Sequence, residues 1–182
     1  GRVVLVTAHR RESFGPPLAS AFEALATLAR RYSDVRFVYP VHPNPNVEGP
    51  ARARLREPNV LLLPPVGYAE MVWLLDRADL VLTDSGGIQE EGATLGCPLL
   101  VLREVTERPE LIEAGAGILV ATDTGRIVRE ASRLLDDAAA RAAMGRPRTL
   151  FGDGRASARI AAHLAGECPE PWTPEEPGAA AP

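Results

Sequence analysis

LTDSGGIQEEGATLGCP, residues 82–98, carries the clearest structural signal in this chain. The apolar run Leu80-Val81-Leu82 ends in Thr83-Asp84, and two glycines and then two adjacent carboxylates follow. A buried strand that breaks on Ser85-Gly86-Gly87 and continues with helical spacing predicts a strand, a tight turn and a helix. Repeated units of this kind build α/β proteins with a parallel sheet.

Short apolar runs and longer amphipathic segments alternate along the rest of the chain. We predict strands at 2–7, 35–39, 60–63, 79–83, 98–102 and 117–120. We predict helices at 17–31, 68–77, 87–95, 124–136, 138–145 and 156–165. Thr124 is the predicted N-cap of the fourth helix. Right-handed β-α-β units follow from this order, so the expected fold is a three-layer Rossmann-like α/β domain with a parallel sheet of about six strands.

Composition limits the classes of function. Of the 182 residues, 46% are hydrophobic and 24% are charged, which is enough for one good core. The net charge of −4 and the lack of a basic block argue against a nucleic-acid partner. No apolar stretch approaches the ~20 residues of a membrane span. Cys97 and Cys168 lack metal-ligand spacing and are expected to be reduced thiols. We predict a domain at 1–166 and a Pro-rich, disordered tail at 167–182.

The helix after Ser85 is a candidate anion site. Its first backbone N–H groups lack intrahelical partners, their partial charge favours an anion, and Gly86 and Gly87 let the anion approach closely. Ser85 can cap the helix and donate to a phosphate oxygen. Glu91 follows Gly87 about 6 Å further along the axis, where a carboxylate could accept from both ribose hydroxyls. The alternative is a simple tight turn, with Glu90 and Glu91 stabilising only the helix dipole.

Three other loops that follow strands are polar, and the ends of parallel strands meet at one edge of the sheet. The loop Thr7–Gly15 contains His9, Arg10 and Arg11, three groups that would repel one another without an anion. The loop Pro40–Pro50 presents His42 from a segment stiffened by proline. The loop Arg103–Glu110 supplies Arg103 and Arg108. The common target would be negative and polyhydroxylated, which describes a nucleotide sugar.

Five segments together resemble one protein family. VTAHRRES, YPVHPNPNV, LTDSGGIQEEGATLGCP, TERPE and FGDGRAS stand in the order found in the non-hydrolysing UDP-N-acetylglucosamine 2-epimerases of bacteria, and the resemblance runs from residue 2 to about residue 165. It implies one half of a two-domain GT-B fold, no cofactor and no metal. It also implies a cytoplasmic enzyme of cell-surface polysaccharide biosynthesis. That enzyme interconverts UDP-GlcNAc and UDP-ManNAc by anti elimination and re-addition of UDP.

The resemblance also implies residue roles. The UDP-binding residues are Ser85, Gly86, Gly87, Glu91 and Arg108. His9 is the catalytic residue, set against the leaving diphosphate, where an imidazole beside phosphates favours its protonated form; alternatively, it only shapes its loop. Arg10 and His42 match positions that contact a second, regulatory UDP-GlcNAc.

The chain matches only the second half of this family. The carboxylates that handle the C2 proton lie in the first half and have no counterpart here. The chain also lacks an initiator Met and starts within a strand, so we expect a missing N-terminal domain and, for the full-length protein, a homodimer. The isolated chain should bind nucleotide without epimerising it. Two alternatives remain open: the nucleotide-binding domain of a GT-B glycosyltransferase, and a non-catalytic nucleotide-sugar-binding module.

Overall fold

Six parallel strands form the central sheet. The computed structural model describes residues 1–173. The strands are β1 (Arg2–Thr7), β2 (Val35–Pro40), β3 (Val60–Leu63), β4 (Leu80–Thr83), β5 (Leu99–Val101) and β6 (Gly117–Leu119). They pair in the order β3-β2-β1-β4-β5-β6, and every pairing is parallel. All six predicted strands are confirmed, with ends that differ by no more than one residue.

Helices connect the strands and cover both faces of the sheet. They are α1 (Pro16–Arg31), α2 (Pro45–Arg54), α3 (Tyr68–Arg77), α4 (Gly86–Leu95), α5 (Pro109–Glu113), α6 (Thr124–Asp136), α7 (Ala138–Met144) and α8 (Ala156–Leu164). A short 3-10 turn, Arg11–Ser13, precedes α1. The six predicted helices are confirmed. Helices α2 and α5 begin in segments that the sequence analysis interpreted as loops.

The predicted loop Pro40–Pro50 is wrong over its second half, because α2 begins at Pro45. The Asn44 side chain caps the helix, and proline is favoured at a first helical position. Val47 and Ala51, four residues apart, are fully buried against the sheet. Their burial offsets the glycine and proline inside the helix, which is why local propensity did not reveal it.

Two further boundaries correct the sequence analysis. Helix α5 begins at Pro109, so the predicted loop Arg103–Glu110 ends earlier than expected. The N-cap of α6 is Asp123 and not Thr124, because a carboxylate oxygen of Asp123 accepts from a backbone N–H in the first turn. Thr124 is the first helical residue, and its hydroxyl instead donates to the backbone carbonyl of Ser20 in α1 at 2.9 Å.

The hydrophobic core lies on both faces of the sheet, and successive side chains of β4 point alternately to the two faces. Leu80 and Leu82 pack on the face covered by α1, α2 and α6, whereas Val81 packs on the opposite face under α3, α4 and α5. All three side chains are fully buried. A strand buried on both faces is typical of a parallel sheet between two helical layers. The predicted three-layer α/β fold is therefore confirmed.

The end of the chain is only partly described. Residues 167–173 lie outside the helices and strands, and residues 174–182, the rest of the predicted tail, lie outside the described residues. Across residues 1–173, the helices are too short or too polar to cross a membrane.

Candidate functional site

The strand order places a crevice between β1 and β4. The chain runs outward from β1 to β2 and β3 on one side, and from β4 to β5 and β6 on the other. Ligands of open α/β sheets bind at such a switch point, beyond the carboxyl ends of the strands. His9 follows β1 and Ser85 follows β4, so these two predicted site residues flank the crevice. His42 and Arg108, from the loops after β2 and β5, lie at the same edge of the sheet.

Hydroxyl groups join the two strand ends at this crevice. Thr7 Oγ1, at the end of β1, lies 2.6 Å from Thr83 Oγ1, at the end of β4, and both residues are buried. Thr83 Oγ1 also accepts from the backbone N–H of Ser85 at 3.0 Å. These hydrogen bonds couple the position of Ser85 to the end of β1. This contact was not predicted, because it depends on the pairing of β1 with β4.

The N-terminus of α4 has the arrangement expected of an anion site. Ser85 is its N-cap, as predicted, and Ser85 Oγ accepts from the N–H of Ile88 at 3.5 Å. A hydroxyl that accepts in this way can still donate its own hydrogen to a ligand. The backbone N–H groups of Gly86 and Gly87 belong to the first turn and have no intrahelical acceptor. Three donors are thus available within three consecutive residues.

The two glycines differ in their surroundings. A Cβ added to Gly86, which is buried, would lie 3.4 Å from Cζ of Arg108. A Cβ added to Gly87, which is exposed, would meet only Ser85 Oγ, 4.0 Å away. Gly87 is also not among the residues with positive φ. Neither the backbone nor a neighbouring side chain therefore requires glycine at position 87. What glycine provides there is open space next to the backbone N–H.

Arg108 lies over the first turn of α4. Its guanidinium packs against Gly86 and binds Oε1 of Glu90 at 2.6 Å. The pair is partly exposed, with 31% of the Arg108 side chain and 38% of the Glu90 side chain accessible. Arg108, which is predicted to bind UDP, therefore lies at the helix N-terminus with its charge paired to Glu90. Glu90 is held by this ion pair, which distinguishes it from Glu91.

Glu91 borders a cavity on the α3 side of α4. Burial, and secondly the negative charge of Glu90, raise the pKa of the half-buried Glu91 carboxyl above its usual range. The cavity has a volume of about 350 Å³ and is lined by Tyr68, Val72, Glu90, Glu91, Thr94, Leu95, Phe151, Gly152 and Gly154. Glu91 thus stands between the helix N-terminus and a partly apolar cavity of the size that small ligands occupy.

His9 and His42 come together at the crevice. Their rings stack with centroids 5.4 Å apart and planes inclined by 10°. Nδ1 of His42 accepts from the backbone N–H of Asn44 at 3.1 Å, which leaves Nε2 of His42 as the protonated nitrogen of its neutral ring. The residue predicted to act in catalysis is therefore in direct contact with one of the two predicted for a second ligand.

Asp84 supports the His9 loop and was missed as a site residue. Its side chain is 1% exposed, and its Oδ2 accepts from the backbone N–H groups of His9 and Arg10, both at 2.7 Å. The signal in the sequence was a carboxylate that follows the apolar run Leu80-Val81-Leu82 and Thr83, directly before Ser85. Its partner was not evident because the bonded residues are 75 positions apart.

Arg103 is not available to a ligand in the way the sequence suggested. Its side chain is 7% exposed, and the guanidinium donates to Glu12 at 2.8 Å and to both carboxylate oxygens of Glu107, at 2.6 and 2.9 Å. These bonds raise the pKa of Arg103, and Arg103, with a contribution from Arg10, lowers the pKa of Glu107 to about 2. Arg103 instead joins the loop after β5 to the turn after β1.

The cluster of His9, Arg10 and Arg11 does not need a bound anion to balance all of its charge. The positive charge of Arg10 acts on Glu107, and Nδ1 of His9 lies 3.6 Å from the buried carboxylate of Asp84. Protein carboxylates thus balance part of this charge. Within residues 1–173, His, Cys, Asp and Glu side chains form no group of three that could hold a metal ion.

Comparison with known proteins gives a consistent result. A family model described as UDP-N-acetylglucosamine 2-epimerase matches residues 1–165. The chain is 50% identical over 160 residues to the UDP-N-acetylglucosamine 2-epimerase of Escherichia coli K12, an alignment that covers 87% of the chain and 43% of that relative. The S. aureus MnaA–UDP co-structure has a TM-score of 0.90 and 36% identity, and the match covers 94% of this chain and 49% of that one.

The UDP-GlcNAc 2-epimerase of Neisseria meningitidis, solved bound to UDP-GlcNAc, has a TM-score of 0.88 and 38% identity, over 91% of this chain and 45% of that one. The chain thus spans less than half the length of the relatives it matches. These superpositions confirm the predicted fold class, one half of a two-domain GT-B architecture.

Proposed function

The chain belongs to the UDP-N-acetylglucosamine 2-epimerase family, and we propose that it is the UDP-binding half of an enzyme that interconverts UDP-GlcNAc and UDP-ManNAc. The nucleotide-binding domain in this proposal is residues 1–166, followed by the tail 167–182. The observation that carries the proposal is the open N-terminus of α4, which lies at the β1–β4 crevice with Gly87 unobstructed.

The diphosphate binds at the first turn of α4. Ser85 Oγ and the N–H groups of Gly86 and Gly87 donate to its oxygens, and the helix dipole favours its negative charge. Arg108, packed on Gly86 and paired with Glu90, brings guanidinium N–H groups to the other side of the turn. When a phosphate arrives, the Arg108 guanidinium keeps Glu90 as one partner and has further N–H groups to offer the ligand.

The nucleoside lies beyond the diphosphate, towards the cavity at Glu91. Glu91 follows Gly87 by about one turn, or roughly 6 Å along the axis, which corresponds to the step from diphosphate to ribose. Its carboxylate accepts from both ribose hydroxyls, as acids do in other dinucleotide-binding folds. Glu90 is less suited to this role because Arg108 already binds it. The adjoining cavity of about 350 Å³ offers room for the rest of the nucleoside.

In the proposed reaction, the C1–O bond of the sugar breaks and its electron pair goes to the oxygen of UDP. The C2 proton leaves to a base, so the products of this step are UDP and 2-acetamidoglucal. Protonation of C2 on the opposite face and re-addition of UDP complete the epimerisation. His9 stabilises the charge that grows on UDP, where a preorganised donor counts most. In this proposal, the acids that move the C2 proton belong to the part of the full-length enzyme that this chain does not span.

A second nucleotide sugar contacts Arg10 and His42 in this proposal. The stacking of His42 on His9 supports this second site, because a ligand that moves the His42 ring would also displace the imidazole of His9. The full-length protein is proposed to act as a cytoplasmic homodimer that supplies activated amino sugars for cell-surface polysaccharides. The glycosyltransferase alternative is disfavoured by the family match over residues 1–165. An epimerase converts UDP-GlcNAc without an acceptor, whereas a glycosyltransferase requires one.

Calorimetry with this chain tests the binding proposal. UDP should bind more tightly than uridine by several kcal/mol, since charge-assisted hydrogen bonds contribute about 1.5–3 kcal/mol each. Equal affinity for the two ligands would show that the diphosphate does not bind at the N-terminus of α4. Uridine 5′-monophosphate serves as an intermediate case, because it retains the nucleoside but fills only part of the diphosphate site.

A further inference from the structure

Asp84 has a carboxylate oxygen whose partner is not accounted for. The side chain is 1% exposed, and Oδ2 already accepts from the N–H groups of His9 and Arg10. Oδ1 is buried and, among the described residues, accepts no hydrogen bond. Buried polar atoms in native proteins nearly always have a partner, and a buried carboxylate oxygen without one is costly.

The imidazole of His9 is placed to provide that partner. Nδ1 of His9 lies 3.6 Å from Oδ1 of Asp84, so the distance has to shorten by about 0.6 Å to reach that of an ordinary N–H···O hydrogen bond. The His9 side chain is 39% exposed, which leaves the ring room to make this movement. Hydrogen bonds of catalytic groups are often long in the free protein and tighten when the ligand binds.

We propose that Asp84 is a positioning residue for His9, whose Nδ1–H it accepts at Oδ1 so that Nε2 is directed to the diphosphate. This inference rests on the proposed function, since it assigns His9 to the leaving UDP. A neutral imidazole carries one N–H, and the hydrogen bond to Asp84 fixes that hydrogen on Nδ1. A second proton, taken from solvent, can then be held only at Nε2. The resulting imidazolium donates to UDP as the C1–O electron pair moves onto its oxygen.

A simpler role for Asp84 would be to anchor the loop through the two backbone N–H groups alone. The variant Asp84→Asn separates the two roles. Its amide oxygen has to take the place of Oδ2 to accept from His9 and Arg10, so the backbone anchors remain. Its NH₂ group then occupies the place of Oδ1 and faces Nδ1 of His9 as a donor. The His9 ring must therefore move its hydrogen to Nε2.

Nitrogen-15 NMR of the 182-residue chain tests this, at a pH where the imidazoles are neutral. We expect the Nδ1–H tautomer for His9 in the unchanged chain and the Nε2–H tautomer in Asp84→Asn. His42 is an internal reference, because Asn44 donates to its Nδ1 in both proteins. Loss of signals in His9→Asn assigns the resonances. Asp123→Asn, a change of the same kind at the exposed N-cap of α6, should leave the His9 tautomer unchanged.

An Nε2–H tautomer in the unchanged chain would overturn the proposal, and this result does not depend on whether any variant folds. The same tautomer in the unchanged chain and in Asp84→Asn would overturn it as well. UDP affinity, measured on the same samples, keeps the two ideas separate. If both proteins bind UDP but the His9 tautomer is the same in each, Asp84 does not position His9, while the proposed function stands.

Turnover gives a second readout in a protein of the relatives' full length that contains this chain. Loss of the carboxylate that orients a metal-bound histidine typically costs about 10- to 100-fold, and by the same reasoning Asp84→Asn should lower kcat by at least about 10-fold. KM should change by less than about 3-fold, because the groups at the N-terminus of α4 remain in place. An Asp84→Asn protein that keeps its kcat would show that the two backbone anchors are the whole role of Asp84.

Discussion

Replacing Gly87 with alanine separates the folding role of the second glycine from its binding role. An added Cβ would lie 4.0 Å from Ser85 Oγ and would otherwise meet open space. The backbone conformation tolerates alanine, since Gly87 has no positive φ. Alanine also loses less entropy in a helix than glycine, by roughly 0.5–1 kcal/mol in a helix interior. Gly87→Ala should therefore fold normally and melt at the same temperature or up to about 3 °C higher.

The same methyl group would stand where we place the diphosphate. A phosphate oxygen that binds the N–H of Gly87 at about 2.9 Å cannot approach as closely once a Cβ projects into that space. The loss of one charge-assisted hydrogen bond corresponds to about 1.5–3 kcal/mol, which is roughly a 10- to 100-fold weaker affinity for UDP. The affinity for uridine, which lacks the phosphates, should change little.

Gly125 provides the matched control. Like Gly87, it is exposed and is the second residue of its helix, after a side chain that caps the N-terminus. A Cβ there would lie 3.5 Å from Asp123 Oδ1, an ordinary contact. Gly125→Ala should raise the melting temperature to a similar extent and leave UDP affinity unchanged. Calorimetry and thermal melts of both variants decide the matter. If Gly87→Ala and Gly125→Ala bind UDP equally well, the diphosphate does not lie over Gly87.

Three further results are expected. Because burial and then the charge of Glu90 raise the pKa of Glu91, binding of UDP-GlcNAc, whose diphosphate diester does not titrate here, should weaken as pH falls through that raised pKa. Glu91→Gln should abolish this pH dependence of binding. If Glu90→Gln abolishes it instead, Glu91 is not the acid that binds the ribose. In a protein of the relatives' full length, His9→Asn should lower kcat by at least about 100-fold with a much smaller loss of UDP affinity; normal kcat with poor binding would contradict a catalytic role. Burial raises the pKa of Cys97 to about 11, so at pH 8 only about one thiol in a thousand is ionised, and a thiol-reactive dye should label exposed Cys168 alone until the protein unfolds. Rapid labelling of both thiols in the native protein would contradict the burial of Cys97.

The strand and helix pattern could be predicted because its signals are local. The apolar run Leu80-Val81-Leu82 and the cap at Ser85 each specify their element from a few neighbouring residues, and the structure places β4 and α4 there. Local sequence signals gave a wrong prediction where residue propensities opposed the structure that tertiary packing stabilises. Glycine and proline argue against α2, but the burial of Val47 and Ala51 on one face outweighs them.

The choice between neighbouring acids and cations was decided only by the tertiary structure. Sequence spacing could not show that Arg108 binds Glu90 and leaves Glu91 at the cavity, since Arg108 is 18 positions away from its partner. It also could not show that Arg103 is clamped by carboxylates, one of them 91 positions distant. The sequence by itself determined which loops meet at the edge of the sheet, because parallel strands end there together. Which side chains remain free for a ligand depended on ion pairs between those loops, and such pairs exist only after the sheet has assembled.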